Sequence, residues 1–319
     1  MKKTAILILF CLISSFVLPV CVFYARGGSG EENKITQKLR MSEDISVFFH
    51  NENKTVSMPI EEYLCGVVCA EMPASFEEEA LKAQAVAARS YARYKQNELN
   101  AVHPEASVCT DYTHCKAYTP INEKEKIWGD DSKKYRAKIE NAIIETQGEV
   151  ITYNGEVALA VFHSQSGGGR TENSADVWGG NVPYLVSVES RGEEKSPNFY
   201  SDVTVSFENF RNTIMSLNPT ASLTSSNDIG QIEKSEGGAV KTIQIGGQEF
   251  SGKEIRGAFG LRSSCFTISS EGDNIRFEVT GYGHGVGMSQ YGANAMAKEG
   301  RDYKEILKHY YSGIQIECV

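Results

Sequence analysis

A single glutamate, Glu71, has the surroundings expected of a general acid. It follows the apolar residues 67–70 (VVCA) and precedes Met72 and Pro73. Because proline disfavours helical backbone in the residue before it, we expect Glu71 to lie where a helix ends. Apolar neighbours desolvate a carboxylate and raise its pKa, which suits proton transfer near neutral pH. On these residues alone, an ordinary surface glutamate remains the alternative.

Residues 103–115 (HPEASVCTDYTHC) contain four side chains that commonly bind metals: His103, Cys109, His114 and Cys115. Two imidazoles and two thiolates form a closed tetrahedral set that suits a structural Zn²⁺, whereas a catalytic zinc keeps an open position. The spacing differs from that of a zinc finger. A Cys109–Cys115 disulfide and unpaired surface residues therefore remain open alternatives.

Two further segments combine glycines with polar side chains, residues 162–171 (FHSQSGGGRT) and 281–293 (GYGHGVGMSQYGA). Successive glycines allow a backbone to approach a ligand closely or to adopt positive φ. Sharp turns with satisfied polar groups, a loop-stabilising histidine and an ion-paired arginine are the structural alternatives. The candidate ligand-contacting residues are Gln84, Arg89, Ser164, Gln165, Ser166, Thr171, His284, Ser289, Gln290 and Tyr291.

Together with residues 70–92 (AEMPASFEEEALKAQAVAARSYA), these segments resemble the family of stage II sporulation protein D and its amidase-enhancer relatives. The resemblance covers most of residues 40–315. It implies a lytic transglycosylase that cleaves peptide-stripped peptidoglycan glycan strands to 1,6-anhydro products during forespore engulfment, with Glu71 as the catalytic residue. It also implies two partners, a membrane-associated cell-wall amidase and a multi-pass membrane protein.

Two other functions compete with glycan cleavage. A zinc amidase or peptidase is disfavoured, because the sequence has no H-E-x-x-H motif and the Cys₂His₂ set leaves no open metal position. A non-catalytic scaffold that activates a wall amidase remains the alternative function.

The N-terminal residues predict where the protein is located in the cell. Lys2 and Lys3 precede an apolar run over residues 4–25, which as a helix would rise about 33 Å and cross a bilayer core of roughly 30 Å. We expect an anchor at 1–26 with a cytoplasmic N-terminus, a stalk at 27–40 and an extracytoplasmic catalytic domain at 41–319, with possible lobes at about 41–147 and 148–319. The family resemblance places this domain at the sporulation septum and engulfing membrane. A cleaved secretory signal and a buried helix are the alternatives.

Composition and periodicity predict a mixed α+β fold. The net charge of −9 over 319 residues, without a basic block, argues against nucleic acid as a partner. We expect a helix from Pro59, a second from a capping box at residues 75–78, and a strand-rich second half, with the cleft between the two regions. Predicted strands in that half are 150–153, 157–162, 184–188, 203–207, 240–245 and 275–280, and the predicted later helices are 135–146, 288–299 and 303–311. The sequence leaves open whether Cys265 and Cys318 pair.

Overall fold

The structure is a computed structural model, and it describes residue 35, residues 37–98 and residues 102–319. The helices are α1 Ile60–Glu71, α2 Glu78–Gln96, α3 Ile121–Trp128, α4 Ser132–Glu145, α5 Ser174–Trp178, α6 Phe207–Leu217, α7 Gly252–Phe259, α8 Gln290–Lys298 and α9 Tyr303–Tyr310. The strands are β1 Asp44–Phe49, β2 Lys54–Pro59, β3 Val108–Cys109, β4 Glu149–Tyr153, β5 Glu156–Val157, β6 Phe162–His163, β7 Tyr200–Ser206, β8 Ile229–Lys234, β9 Val240–Ile245, β10 Gln248–Ser251, β11 Phe266–Glu271, β12 Asn274–Thr280, β13 Met288–Ser289 and β14 Gln315–Cys318.

Helix α2 is the centre of the larger hydrophobic core. It packs against α1, α4, α8, α9 and strand β4. Small side chains, including Ala80, Ala83 and Ala87, are fully buried along it, so neighbouring elements approach closely on several sides. The helix begins at Glu78 with Glu77 as its N-cap residue and no side-chain cap, so the predicted capping box at Ser75 is not formed. Residues 73–76 instead make a turn in which the Phe76 amide donates to the carbonyl of Pro73.

Two parallel strand pairs bring distant segments together. In the sheet β2-β1-β3, Phe48 lies opposite Cys109, which sets the middle of the Cys/His segment beside β1. In the two-stranded pair β6–β13, Phe162 lies opposite Met288 and His163 opposite Ser289. The second pair therefore joins the two glycine-rich segments that the sequence analysis singled out.

Glycine is required where these two segments meet. Gly287 has φ +73, and a Cβ atom there would lie 2.1 Å from the carbonyl oxygen of Val161. Any other residue would combine a disfavoured backbone with a collision against a fixed backbone atom. Gly287 thus allows β13 to approach β6.

A second, smaller hydrophobic core lies between residues 203 and 279. It is built from α6, α7 and the sheets β10-β9-β8 and β11-β12-β7, with Phe210, Ile243 and Phe277 fully buried. The chain then returns to the larger core through residues 281–288, since Val286 and Met288 are buried there. The third motif is consequently a connection between the two cores.

The structure mixes helices and strands, as the predicted mixed α+β class requires, but the membrane-spanning helix in that prediction is corrected. Within residues 37–98 and 102–319, no helix is long and apolar enough to cross a membrane. Even α2, with 19 residues, contains Glu78, Glu79, Lys82 and Arg89. The predicted anchor at 1–26 lies outside the described residues. The predicted single-pass localisation accordingly has no counterpart in the structure.

Candidate active site and metal cluster

Glu71 is the last residue of α1, and Met72 after it adopts an extended backbone with φ −122 and ψ 136. This is the helix-to-turn junction that Pro73 predicts. The side chain is half-buried. Its Oε1 accepts a hydrogen bond of 2.9 Å from the backbone N–H of Ala117, whereas Oε2 has no hydrogen bond to the described residues.

The surroundings of Glu71 are less apolar than its sequence neighbours suggest, because the buried Lys116 lies near it. Lys116 is only 8% exposed, and its Nζ lies 3.7 Å from the ring centroid of Phe162 and 4.6 Å from that of Tyr91. Burial lowers the pKa of Lys116 to about 8, and the charge of Glu71 opposes this change. An ammonium held against two aromatic rings therefore adjoins the carboxyl group.

A cleft of about 250 Å³ opens beside Glu71 and collects residues from all three motifs. Ser164, Gln290 and Tyr291 line it together with Glu71, and Trp128 contributes an aromatic side chain. Tyr291 is held in place by an edge contact with Phe76, with ring centroids 4.9 Å apart. Among the lining residues in the described part of the chain, Glu71 is the only acidic one.

Several predicted contact residues are buried and hold the motif loops together. Gln165 donates to the hydroxyl of Ser196 and the carbonyl of Pro197, at 2.7 and 3.0 Å. The Thr171 hydroxyl accepts from the amide of Val188 at 2.9 Å. Polar groups used in this way shape the loops, and they do not line the Glu71 cleft.

Ser166 and Ser289 belong to the same buried group. The Ser166 hydroxyl lies 2.8 Å from Nε2 of His163. The Ser289 hydroxyl caps α8 by accepting from the amide of Gly292 at 3.2 Å. Both side chains stabilise the backbone that carries Ser164 and Gln290 to the cleft.

Gln84 and Arg89 lie on α2 behind the cleft. The Gln84 Oε1 accepts from Nε2 of Gln290 at 3.4 Å, so Gln84 contacts a lining residue without lining the cleft itself. Arg89 is 1% exposed and forms a bidentate ion pair with Glu61, at 2.8 and 2.6 Å. Arg89 therefore forms an ion pair, which was the structural alternative to a substrate contact. The pair is buried rather than on a helix surface.

His284 lies in a different cavity, with Trp178. Their ring centroids are 5.3 Å apart, and Nδ1 of His284 accepts from the amide of Val286 at 3.1 Å. Desolvation, with smaller contributions from His163 and Lys116, holds the pKa of His284 well below its ordinary value. The imidazole is thus neutral and is not a lining residue of the Glu71 cleft.

The Cys/His segment does form a cluster. The ligand atoms of His103, Cys109 and His114 all lie within 4.8 Å of one another. Nδ1 of His114 lies 3.3 Å from Sγ of Cys109 and 3.5 Å from Sγ of Cys115. Both cysteines are free and buried, so they form no disulfide. Of the four predicted ligands, His103, Cys109 and His114 therefore converge, and Cys115 is not part of that group of three. Imidazole and thiolate donors are ligands that suit Zn²⁺.

Comparison with known proteins supports the motif assignment. A family model described as Stage II sporulation protein matches residues 49–153. Stage II sporulation protein D of Bacillus subtilis is 38% identical over 287 residues, covering 89% of this chain and 82% of that protein. The Bacillus amyloliquefaciens protein of the same name is also 38% identical, over 85% of this chain and 78% of its own length. The chain belongs to the stage II sporulation protein D family.

An amidase-enhancer relative is more distant. The amidase enhancer of Bacillus subtilis is 30% identical over 78% of this chain, and the match covers 39% of that longer protein. The relation between sporulation protein D and amidase enhancers that the motifs predict is therefore confirmed.

In this member of the sporulation protein D family, a buried carboxyl group, Glu193, joins two of the motifs and is not among the residues predicted from the sequence. It is 1% exposed, and it accepts from the hydroxyl of Ser190 at 2.5 Å, the hydroxyl of Ser289 at 2.7 Å and the amide of Ser166 at 2.9 Å. Burial raises its pKa to about 7, although these hydrogen bonds favour the ionised form. Glu193 thus ties the second motif to the third. Its sequence context does not distinguish it from the exposed Glu194.

Proposed function

We propose that this protein is a lytic transglycosylase that cleaves the bond between N-acetylmuramic acid and N-acetylglucosamine in peptide-stripped glycan strands. One observation carries the proposal. Glu71 is the single acidic residue among the described lining residues of a cleft to which all three family motifs contribute. Ordinary glycosidases need two carboxyl groups, whereas a transglycosylase can use one.

The chemistry needs one group that first gives and then takes a proton. Glu71 would protonate the glycosidic oxygen at C4 of the leaving N-acetylglucosamine. The resulting carboxylate would remove the proton from the C6 hydroxyl of the muramic acid, which attacks its own C1 and forms the 1,6-anhydro ring. Because this nucleophile is tethered to the reacting sugar, its effective molarity is high. The N–H of Ala117 holds Oε1, which leaves Oε2 for the proton transfers.

Substrate contacts are proposed for the polar groups around that carboxyl. Ser164, Gln290 and Tyr291 offer hydroxyl and amide groups that match sugar hydroxyls and acetamido groups. Tyr291 and Trp128 also offer aromatic surface against the apolar face of a sugar ring. We assign the buried residues Gln165, Ser166, Thr171 and Ser289 to loop positioning.

We further propose that His103, Cys109, His114 and Cys115 hold a structural Zn²⁺. When bound, the metal would cross-link the segment that leads to Lys116 and Ala117, both of which adjoin Glu71. The proposed reaction uses no metal, so zinc would act on the fold of this loop.

We place this activity in forespore engulfment, together with a cell-wall amidase and a multi-pass membrane partner. A second candidate function is activation of that amidase without catalysis. The relative named amidase enhancer favours it. Both functions require the chain to contact the cell wall, and they differ in whether it breaks glycosidic bonds.

Mass spectrometry of digested peptide-free glycan strands tests the proposal. Saccharides with anhydro ends support the transglycosylase, and saccharides with reducing ends would indicate a hydrolytic muramidase instead. If no saccharides are released while added amidase becomes more active, the activator function replaces the proposal. The Glu71→Gln protein serves as the control for contaminating hydrolases.

A further inference from the structure

A second cavity, of about 140 Å³, lies between the two hydrophobic cores and outside the Glu71 cleft. Its wall combines Glu172, which directly follows the second motif, with helix α5, the third motif, strand β9 and helix α7. Its charged and aromatic lining residues are Glu172, Asp176, Trp178, Lys241, Lys253, Arg256 and His284. Its size suits a substituent of a sugar rather than several linked rings.

Only some of the positively charged side chains in this cavity form an ion pair with an acidic residue. Lys241 forms an ion pair with Asp176, with Nζ and Oδ1 3.1 Å apart. Arg256 is half-buried, donates from Nε to the carbonyl of Leu261 at 3.3 Å, and has no acidic partner among the described residues. The exposed Lys253 likewise forms no ion pair with any described residue. An arginine and a lysine are therefore available to an anionic ligand.

An aromatic surface adjoins these cations. Trp178 is 41% exposed, which is unusual for so large an apolar side chain, and its ring lies 5.3 Å from that of His284. An exposed indole and an arginine that line the same cavity provide an apolar face for a sugar ring and a donor for its acidic group.

The buried carboxyl group of Glu172 is the third feature of this cavity that indicates a ligand. It is 2% exposed, and its Oε1 accepts from the amide of Ala239 at 3.0 Å. Its Oε2 is buried without a hydrogen-bond partner among the described residues, since the nearby Ser235 hydroxyl donates to the carbonyl of Ala239. Buried polar atoms are rarely left unsatisfied, so this oxygen indicates a missing hydrogen-bond partner in the cavity.

We propose that this cavity binds the free carboxylate of a muramic acid residue, with Arg256 and Lys253 as the cationic contacts and Trp178 against the sugar ring. The inference rests on the proposed function, because it assumes a glycan substrate. Muramic acid carries a lactyl carboxylate that is free in peptide-stripped strands and is an amide where a stem peptide remains. The cavity would thus select stripped strands, because a neutral, substituted amide loses the charge-assisted hydrogen bonds and adds bulk.

Calorimetric binding to the Glu71→Gln protein tests this without turnover. The probes are two synthetic oligosaccharides of alternating N-acetylglucosamine and N-acetylmuramic acid, one with free lactyl carboxylates and one with those groups amidated by L-alanine. We expect the free form to bind about 10- to 100-fold more tightly, as charge-assisted hydrogen bonds allow. Adding Arg256→Gln and Lys253→Gln should abolish this preference, whereas Arg256→Lys should retain part of it.

Two further variants make the result specific. Trp178→Ala should weaken binding of both probes by a similar factor, because stacking does not depend on the carboxylate. Arg211→Gln, at an exposed arginine on α6, should change neither affinity. Equal affinity for the two probes, weak binding of both, or a preference that survives the Arg256→Gln, Lys253→Gln variant would overturn the inference.

The two proposals fail separately. Anhydro products from wild-type protein with no carboxylate preference would overturn only this inference. A clear preference without any glycan cleavage would overturn only the transglycosylase activity.

Discussion

The backbone N–H of Ala117 donates to Oε1 of Glu71 at 2.9 Å. Ala117 follows Cys115 by two residues, so the segment that carries the Cys/His cluster also fixes one oxygen of the proposed catalytic carboxyl group. Lys116, between these two residues, is buried near Glu71. Order in the Cys/His segment and the position of Glu71 are therefore coupled through the backbone.

The proposed zinc site predicts the behaviour of its cysteine variants. Cys109→Ser or Cys115→Ser should reduce bound zinc to near zero, measured by atomic emission on purified protein. The melting temperature should fall by about 5 °C, because a chain of 319 residues loses roughly 1.5 °C per kcal/mol and a structural metal contributes several kcal/mol. Glycan cleavage should fall only partly, through displacement of Ala117.

The buried free Cys265 provides the matched control for this experiment. Cys265→Ser should keep the full zinc content. Stoichiometric zinc in both the Cys109 and Cys115 variants would refute the proposed ligand set. Complete loss of turnover in a variant with an intact fold would instead indicate a catalytic metal.

The raised pKa of Glu193 should make the free energy of unfolding depend on pH. Its pKa rises from an ordinary value near 4.5 in the unfolded chain to about 7 in the fold. The fold therefore binds one proton more than the unfolded chain between these values, and stability contributed by the protonated form is lost as pH rises through this window. For this group alone the loss is about 3 kcal/mol. Urea denaturation at several pH values between 4.5 and 8 measures it.

Glu193→Gln should flatten that part of the stability profile, because glutamine does not titrate. Glu194→Gln, at the exposed neighbouring residue, should keep the pH dependence and shift it only slightly, because the charge of Glu194 is the smallest contribution to the raised pKa of Glu193. An unchanged slope in the Glu193→Gln protein would show that another group binds the proton.

Arg89 should matter for folding and not for substrate affinity. Arg89→Met leaves Glu61 buried without its partner, which typically costs about 3–5 kcal/mol of unfolding free energy. Arg301→Met removes an exposed pair with Glu305 and should cost at most about 1 kcal/mol. Should Arg89→Met prevent folding, Arg89→Lys retains the charge. A raised KM for glycan strands at unchanged stability would instead indicate that Arg89 contributes to substrate binding.

Local sequence signals predicted much of the fold where one element determines its own structure. Proline at 73 correctly predicted the end of α1 at Glu71, and alternating apolar residues predicted β7, β9 and β12. Predictions were wrong where pairing is tertiary. The predicted strand 157–162 is reduced to the two-residue strands β5 and β6, and residues 184–188 form no named strand. Helix α3 was missed because residues 121–128 are mostly polar.

The convergence of the three motifs could not be derived from spacing. Ser164 and Tyr291 are far apart in the chain and meet only because β6 pairs with β13. Polar residues in a motif also divide into those that face the cleft and those that satisfy buried backbone groups, and residue type does not separate them. Ser164 lines the cleft, whereas its neighbour Gln165 is buried in the loop.

The most direct test of the central proposal is the rate of 1,6-anhydro product release from peptide-free glycan strands by the Glu71→Gln protein. Glutamine keeps the shape of the side chain and the acceptor for the Ala117 amide, but it cannot transfer the proton. We predict an intact fold, retained saccharide binding and a rate lowered by about 10²–10⁴-fold, towards the larger value because one residue serves both steps. Glu77→Gln and Glu78→Gln, at exposed residues where α2 begins, should release product at nearly the wild-type rate. Release by the Glu71→Gln protein at the wild-type rate would contradict the account.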